Sequence, residues 1–180
     1  MCIAGFILSM DNGKLIYLSL GSNLGDRAAN LERAMDALAG IGVHVLRRSA
    51  LYETEPVDFV AQPWFLNCAV QAETAFEPRA LLQGLQGIER DMGSQKLVPR
   101  GPRIMDLDIL FYENSVIREP GIEIPHPRLS QRRFVLVPLA EIAPNLSHPI
   151  IRATIRELLD ATDDRSAVRV WQPKEDADGS

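Results

Sequence analysis

Short apolar runs and amphipathic helical patterns alternate along this chain in the order strand, helix, strand, strand, helix, strand. The first unit is the apolar run Leu15–Leu20, which ends at Gly21 and is followed by apolar residues at helical spacing. A strand that enters a glycine turn before a helix is a recurrent unit of α+β proteins. The whole order is typical of the ferredoxin-like arrangement, in which an antiparallel sheet of four strands carries two helices on one face. We therefore predict an α+β fold with a β-α-β-β-α-β core.

The remaining elements follow from the same two periodicities. In chain order we predict a helix with its apolar stripe from Leu24 to Leu38, ended by Gly40, strands at Val43–Tyr52 and Phe65–Ala72, a helix from Pro78 to Met92, and a strand at Asp106–Tyr112. After this core we predict a hairpin that returns through Val116 and Ile117, a short helix capped by Ser130, and a last helix, Ile155–Leu159, opened by the capping-box pattern Thr154–Glu157.

A chain of 180 residues favours one domain. We predict a single domain over residues 15–171, preceded by an extension, residues 1–14, and followed by a flexible acidic tail, residues 172–180. The apolar run Ile3–Met10 is far shorter than the roughly 18 residues of a spanning helix, so we interpret it as part of the extension or an added strand.

The charge balance argues against a nucleic-acid-binding protein. Lys and Arg number 19 against 24 Asp and Glu, which gives a net charge of −5. A surface that neutralises nucleic-acid phosphates is usually basic, and only 6% of the residues are aromatic, so RNA binding on the sheet is disfavoured. The two cysteines, Cys2 and Cys68, form neither a metal cluster nor a disulfide framework, and this usage predicts a cytoplasmic protein.

Asp106 and Asp108 lie two residues apart in the predicted strand 106–112. Side chains alternate between the faces of a strand, so both carboxylates are predicted on one face, roughly 6.6 Å apart. Such a pair repels by about 2.5 kcal/mol at an effective dielectric constant of about 20, and in a cleft it favours bound cations. Mg²⁺ takes one or two carboxylates and leaves positions for water and substrate phosphates. The pair predicts a magnesium nucleotide site; the alternative is one solvent-facing aspartate at a sheet edge and one that caps a turn.

Basic side chains surround this carboxylate pair in an otherwise acidic chain. Arg103 precedes the pair, and its planar guanidinium can bind two phosphate oxygens at once. His126 lies in the stiff segment Pro125–Pro127 and can donate a hydrogen bond to a phosphate. The arginines that follow it are Arg128, Arg132 and Arg133. The cluster favours a phosphate-binding site over a solvated face.

Four further residues can bind a flat heterocycle. Gly21 lets a ligand approach the backbone, although a tight turn explains this glycine equally well. Asn67 offers a donor and an acceptor in an apolar strand, or it is a satisfied core residue. Phe65 and Phe134 can sandwich a ring, or they belong to the core. The sequence leaves these alternatives open.

Five ordered segments resemble the 6-hydroxymethyl-7,8-dihydropterin pyrophosphokinase family. They are Leu18–Asn23 (LSLGSN), Tyr52–Pro56 (YETEP), Phe65–Asn67 (FLN), Gly101–Leu110 (GPRIMDLDIL), and IPHPRL followed by FVLVPL between Ile124 and Leu139. The resemblance spans roughly Leu15 to Leu159, and several motifs in a fixed order are more specific than any one of them. It implies transfer of the β,γ-pyrophosphoryl group of ATP to the pterin hydroxymethyl group, which yields AMP, within folate biosynthesis.

The resemblance also implies roles for individual positions. Asp106 and Asp108 would hold two Mg²⁺ ions that bridge ATP and the pterin hydroxyl. The other catalytic residues would be the phosphate contacts Arg103, His126 and Arg132. Further ATP contacts would be Gln86, Glu89 and Ile109, and the pterin contacts would be Gly21, Thr54, Pro56, Val57, Phe65, Asn67 and Phe134. Such a set suits phosphoryl-type transfer, which depends mainly on alignment and charge neutralisation.

The chain departs from the family in the lid segment. Ser94 and Lys96 stand where family members commonly carry arginines, and we hypothesise that Arg100 partly replaces the missing charge. Phe65 occupies a place often held by Tyr, which still permits stacking. Family members are commonly monomeric or fused to neighbouring pathway enzymes, so we expect a monomer with ATP and a reduced pterin as its partners, without nucleic acid or membrane. The alternative function is a non-catalytic Mg-nucleotide sensor on the same fold.

Overall fold

The computed structural model describes residues 12–94 and 98–174 of the chain. Its strands are β1 (Lys14–Ser22), β2 (Val43–Arg48), β3 (Tyr52–Thr54), β4 (Phe65–Thr74), β5 (Asp106–Tyr112), β6 (Ile117–Glu119), β7 (Ile122–Ile124) and β8 (Val168–Val170). Its helices are α1 (Arg27–Gly40), α2 (Pro78–Asp91), α3 (Arg133–Ile142) and α4 (Ile155–Ala161), and a short 3-10 helix covers Leu129–Gln131.

The main sheet contains the strands of the predicted ferredoxin-like core and has six strands in all. The sheet runs β5-β1-β4-β3-β8, and β2 also pairs with β4. These pairings are antiparallel, with β1 between β5 and β4. The α+β prediction is thus confirmed. Because β1 is flanked by β4 and β5, the ends of these strands bring Gly21, Asn67 and Asp106 to one edge of the sheet.

Helices cover both faces of the main sheet. Successive side chains of its central strands point to opposite faces, and apolar residues at both sets of positions give each face an apolar layer. Ile16, Leu18 and Leu20 of β1 pack in a core cluster together with Leu31 of α1 and other residues of α1 and α2. Tyr17, between them, packs in a second cluster with residues of α3 and α4. The two helices of the predicted core therefore cover one face, and the helices that follow the core cover the other.

Local signals fixed several helix ends. Asp26 caps α1, since its Oδ1 accepts a hydrogen bond from the Ala29 N–H at 3.0 Å. The capping box predicted at Thr154 and Glu157 is confirmed, with both reciprocal hydrogen bonds present. Leu24, by contrast, lies before α1 and is about one-third exposed, because the helix begins only after the Asp26 cap.

Three expectations about elements were wrong. The predicted strand 43–52 is two strands, since Ser49 binds the backbone of Ala69 and β2 ends before it. Ile117 pairs with Ile124 in a separate two-stranded sheet instead of returning along β5. Ser130 lies inside the 3-10 helix and does not cap α3, which begins at Arg133.

Strand β8, which pairs with β3 at the edge of the main sheet, was not predicted. Residues 1–11, 95–97 and 175–180 lie outside the described residues, and with them the apolar run Ile3–Met10, Lys96 and most of the predicted tail. Among the described residues, no helix is long and apolar enough to cross a membrane.

Candidate active site

A cleft lies where β1, β4 and β5 end, and it collects most of the residues singled out in the sequence. The predicted residues that line it are Gly21, Thr54, Pro56, Val57, Phe65, Asn67, Arg100, Arg103, Asp106, Asp108, His126, Arg132 and Phe134. The lining residues that the sequence did not single out are Ser19, Glu55, Asp58, Gln62 and Gly101. The residues proposed for phosphate, metal and pterin thus meet in one cavity.

The two aspartates of β5 lie on one face of the strand. Asp106 is opposite Gly21 and Asp108 is opposite Ser19 in the pairing of β5 with β1. Leu107, between them, packs in the core cluster on the α1 and α2 side. Both carboxylates therefore line the cleft, as the period of a strand requires.

Arg103 connects the carboxylate pair to the loop before β5. Its Nη1 donates to Asp106 Oδ1 at 2.9 Å, and its backbone N–H donates to Asn23 Oδ1 at 2.8 Å. The Nε atom of Arg103 is buried and has no hydrogen-bond partner among the described residues. A buried guanidinium N–H without a partner is costly, so this atom indicates where an oxygen of a ligand can bind.

His126 lines the same cleft as the aspartates, and its imidazole is neutral at physiological pH. Burial, together with the charge of Arg132, lowers its pKa to about 4, although Asp106 acts in the opposite direction. The Arg128 N–H donates to His126 Nδ1 at 3.2 Å. Because one nitrogen of a neutral imidazole accepts and the other donates, Nε2 carries the proton. His126 is therefore a neutral hydrogen-bond donor.

Asp58 gathers three arginines at the rim of the cleft. Its carboxylate oxygens lie 3.4 Å from Arg100 Nη1, 3.4 Å from Arg132 Nη2 and 3.9 Å from Arg128 Nη1. Arg132 also lies over the ring of Phe134, with its Cζ atom 5.6 Å from the ring centroid. The sequence analysis placed Arg128 and Arg132 in a basic cluster and Arg100 in the lid segment, but it did not predict that Asp58 contacts them.

The other end of the cleft holds Asn67 in a fixed orientation. Asn67 is buried, and its Nδ2 donates to Thr54 Oγ1 at 2.6 Å. A Cβ atom on Gly21 would collide with Asn67 Oδ1, so only glycine leaves room for this amide. Glycine at position 21 is therefore required by the close approach of the Asn67 side chain, and not only by the turn that follows β1. Phe65 and Phe134 also line the cleft.

Asn23 and Gln62 tie together the loops that frame the cleft, and sequence reasoning missed both roles. The buried Asn23 donates from Nδ2 to Gln62 Oε1 and to the Pro63 carbonyl, each at 2.9 Å. Gln62 in turn donates from Nε2 to the Arg100 carbonyl at 3.0 Å. The signal for Asn23 was a polar residue directly after a buried strand, within the Gly21–Asn23 turn.

Four predicted site residues lie outside the cleft lining. Glu89 is buried in α2, and its Oε1 accepts from the Leu107 N–H at 2.8 Å, so it joins α2 to the strand that carries the aspartates. Ile109 packs in the core, Ser94 donates to the Met105 carbonyl, and Gln86 is exposed on α2. Their assignment to ATP or to the lid stays a prediction, as does that of Lys96.

The fold and the cleft define an α+β protein of the ferredoxin-like class whose cleft sets paired carboxylates beside arginines. Residues 17–144 match the sequence model of the family described as 7,8-dihydro-6-hydroxymethylpterin-pyrophosphokinase. The 2-amino-4-hydroxy-6-hydroxymethyldihydropteridine pyrophosphokinase of Bacillus subtilis is 39% identical over 165 residues, which are 91% of this chain and 94% of that protein. The chain therefore belongs to the 7,8-dihydro-6-hydroxymethylpterin-pyrophosphokinase family.

Other relatives are much longer than this chain. Folic acid synthesis protein fol1 of Pneumocystis carinii is 42% identical over 147 residues, which are 82% of this chain but 20% of that protein. The chain thus spans about a fifth of the length of this relative. A crystal structure of wild-type Plasmodium falciparum HPPK-DHPS with STZ-DHP aligns with a TM-score of 0.68 at 19% identity, over 88% of this chain and 45% of that one. This likeness supports the fold.

Proposed function

We propose that the protein transfers pyrophosphate from ATP to the hydroxymethyl group of 6-hydroxymethyl-7,8-dihydropterin, and releases AMP and the pterin diphosphate. The observation that carries the proposal is the shared cleft, in which the Asp106 and Asp108 carboxylates lie on the same strand face as the pocket that contains Asn67. A reaction between a polyphosphate and a flat heterocycle needs charged groups that bind metal and phosphate, and beside them a pocket that binds the ring. The name of the Bacillus subtilis relative supports the same substrate class.

The donor set fits magnesium. Asp106 and Asp108 supply two carboxylates to the cleft, and no group of three or more His, Cys, Asp or Glu side chains that could hold a metal occurs in the described part of the chain. Mg²⁺ binds through one or two carboxylates and takes its other ligands from water and substrate phosphates. Asp106 and Asp108 would hold the metal, and we propose two ions, as the family resemblance implies. When bound, Mg²⁺ neutralises charge on the phosphate oxygens.

The cationic side of the cleft would bind and align the polyphosphate. Arg103 presents its unpartnered Nε, Arg132 presents its guanidinium, and His126 donates from Nε2 without adding charge. The pterin hydroxyl oxygen would attack the β-phosphorus in line and lose its proton to water, while the bond from this phosphorus to the α,β-bridging oxygen breaks and AMP leaves. These residues act by position and charge, because phosphoryl transfer needs little covalent chemistry from the protein.

The pterin would bind at the end of the cleft that contains Asn67. The Asn67 amide, fixed by Thr54, offers an acceptor and a donor to the polar edge of the ring, and Phe65 and Phe134 offer flat apolar faces. A buried amide that pairs with the ring edge would discriminate strongly against rings without matching groups.

The decisive experiment measures AMP formation by the purified protein with ATP, Mg²⁺ and the reduced pterin. We expect AMP and pterin diphosphate in equal amounts, and no reaction when the pterin is omitted or when a chelator removes the metal. Nucleotide binding without AMP formation would contradict the proposal and favour the non-catalytic sensor.

Three further expectations belong to the same proposal. We expect a monomer, which sedimentation of the purified chain tests. We also expect a cytoplasmic location, on the basis of the cysteine usage, and a single domain over residues 15–171. The pairing of β8 with β3 supports the domain proposal, because it joins residues 168–170 to the sheet that contains β1.

A further inference from the structure

Asp58 occupies an unusual electrostatic position. Its carboxylate meets Arg100 from the loop before β5, and Arg128 and Arg132 from the segment before α3. Three guanidinium groups repel one another, so they come together only where an anion offsets their charge. Asp58 supplies one negative charge to three positive ones.

The same arginines suit a polyphosphate better than a carboxylate. A guanidinium presents a planar set of donors that matches phosphate oxygens, and a triphosphate carries several negative charges. Arg132 is also one of the residues that we expect to contact phosphates. A triphosphate in the cleft and the Asp58 carboxylate would therefore use the same guanidinium donors.

We infer that Asp58 sets the nucleotide affinity of the site by competing with the polyphosphate for Arg100 and Arg132, the two of these arginines that line the cleft. The inference rests on the proposed function, since that function supplies the polyphosphate. Binding replaces the Asp58 contacts with phosphate contacts, and the carboxylate turns away from the incoming negative charge. Loss of the Asp58 charge removes both the competing contacts and the repulsion, so it tightens binding.

The local structure permits this exchange without loss of the loop. Asp58 is about one-third exposed at its side chain, so the carboxylate can move into solvent. Gln62 holds the same loop through its hydrogen bonds to the Phe59 and Arg100 carbonyls, and these do not involve Asp58. The loop that carries Pro56 and Val57 thus keeps its attachment when the ion pairs break.

The test compares the binding of inorganic tripolyphosphate, and of a non-hydrolysable ATP analogue with Mg²⁺, by calorimetry. We expect Asp58→Asn to bind both about threefold to tenfold more tightly than the unmodified protein, since partly exposed ion pairs contribute modestly each. The charge-preserving Asp58→Glu should bind within about twofold of the unmodified protein on the same argument.

Glu55→Gln is the matched control. Glu55 lines the same cleft and carries the same charge, but its Oε2 accepts from the Ala167 N–H, a contact that Gln can also make. General removal of one negative charge would tighten binding equally in Glu55→Gln and Asp58→Asn. Competition for the arginines predicts a clearly larger effect at Asp58.

Equal or weaker binding by Asp58→Asn would overturn the inference, and so would an equal gain in Glu55→Gln. A purely structural role of Asp58 predicts weaker binding, which is the opposite sign. Thermal unfolding of each variant establishes that it is folded at the temperature of the titration. Failure of the proposed function would appear separately, as absence of AMP from the unmodified protein, while the binding comparison needs no turnover.

Discussion

Asp106 and Asp108 differ in their surroundings although they share one strand face. Asp106 lies opposite Gly21 on β1 and is paired with Arg103 at 2.9 Å, and Asp108 lies opposite Ser19. The sequence sufficed to place both carboxylates together, because side-chain alternation depends only on the strand itself. It could not reveal Asp58, because the arginines that meet Asp58 come from positions 42 to 74 residues further along the chain.

Removal of either carboxylate of β5 should abolish most of the activity. We expect Asp106→Ala and Asp108→Ala each to lower AMP formation by about 100-fold or more, since a lost metal ligand costs several kcal/mol in the transition state. Steady-state assays across a range of Mg²⁺ concentrations measure the effect. Asp36→Ala removes an exposed acid on α1 and serves as the control. Unchanged metal-dependent activity in both β5 variants would refute the site assignment.

Gly21→Ala should weaken pterin binding selectively. The new Cβ would collide with Asn67 Oδ1 and displace the amide that we expect to bind the ring. We expect the pterin affinity to fall by about tenfold or more, since loss of one well-placed hydrogen-bonding group costs about 1–3 kcal/mol. Tripolyphosphate affinity should stay the same.

Gly40→Ala is the control for Gly21→Ala, because nothing lies within 4 Å of a Cβ at that position. Titrations of each variant with pterin and with tripolyphosphate measure the two affinities. Equal loss of both in Gly21→Ala would indicate general damage to the cleft and contradict a specific role of Asn67.

At the scale of single elements, local signals predicted what depends on neighbouring residues. The bounds of β5 agree with the predicted Asp106–Tyr112, and the Thr154 capping box lies as expected. The predicted start of α3 was wrong because the residue that accepts from its first N–H group is distant in the chain. Asp164 Oδ2 accepts from the Arg133 N–H at 2.8 Å. β8 has only three residues and depends on β3 for its pairing.

Asp164→Ala should destabilise the protein in a pH-dependent way. Burial raises the pKa of Asp164, but hydrogen bonds from Ser166 and the Arg133 N–H, with the charge of Arg133, outweigh it and hold the pKa below 3.8. A carboxylate whose pKa is lower in the folded than in the unfolded state stabilises the protein at pH values above the unfolded pKa. This contribution to stability is lost as the pH falls through the folded pKa. At pH 7 we expect a loss of about 1–2 kcal/mol in the free energy of unfolding, as for lost caps.

Urea denaturation from pH 7 to pH 3 measures this dependence. The difference between the unmodified protein and Asp164→Ala should shrink once the pH falls below the unfolded value of 3.8, because the unfolded chain then binds the proton before the folded protein does. Asp163→Ala removes the adjacent exposed carboxylate and should change little. A difference that is constant down to pH 3 would show that the charge of Asp164 plays no part.

At the scale of the whole molecule, the packing of both sheet faces buries polar groups that must stay neutral. His148, in the segment that connects α3 to α4, is buried with its ring against Phe111, and its Nδ1 accepts from the Ile150 and Ile151 N–H groups. Burial lowers the pKa of His148, as it does that of His126 in the cleft. Sequence patterns cannot show this, because burial of a histidine depends on elements that pack from elsewhere in the chain.

Acidification from pH 7 to pH 5 should therefore lower the free energy of unfolding. A histidine whose pKa is lowered in the folded state stabilises fully above its unfolded pKa of 6.5, and this contribution is lost as the pH falls towards the folded value. With a folded pKa of about 4, His126 alone would lower the free energy of unfolding by about 2 kcal/mol at pH 5.

His126→Asn and His148→Asn keep an oxygen acceptor near Nδ1 but cannot titrate, so each should reduce the loss of stability between pH 7 and pH 5. His44→Asn, at an exposed position on β2, is the control, and the measurement is urea denaturation at both pH values. If the free energy of unfolding falls as much in His126→Asn and His148→Asn as in the unmodified protein, the acid sensitivity comes from other titratable groups.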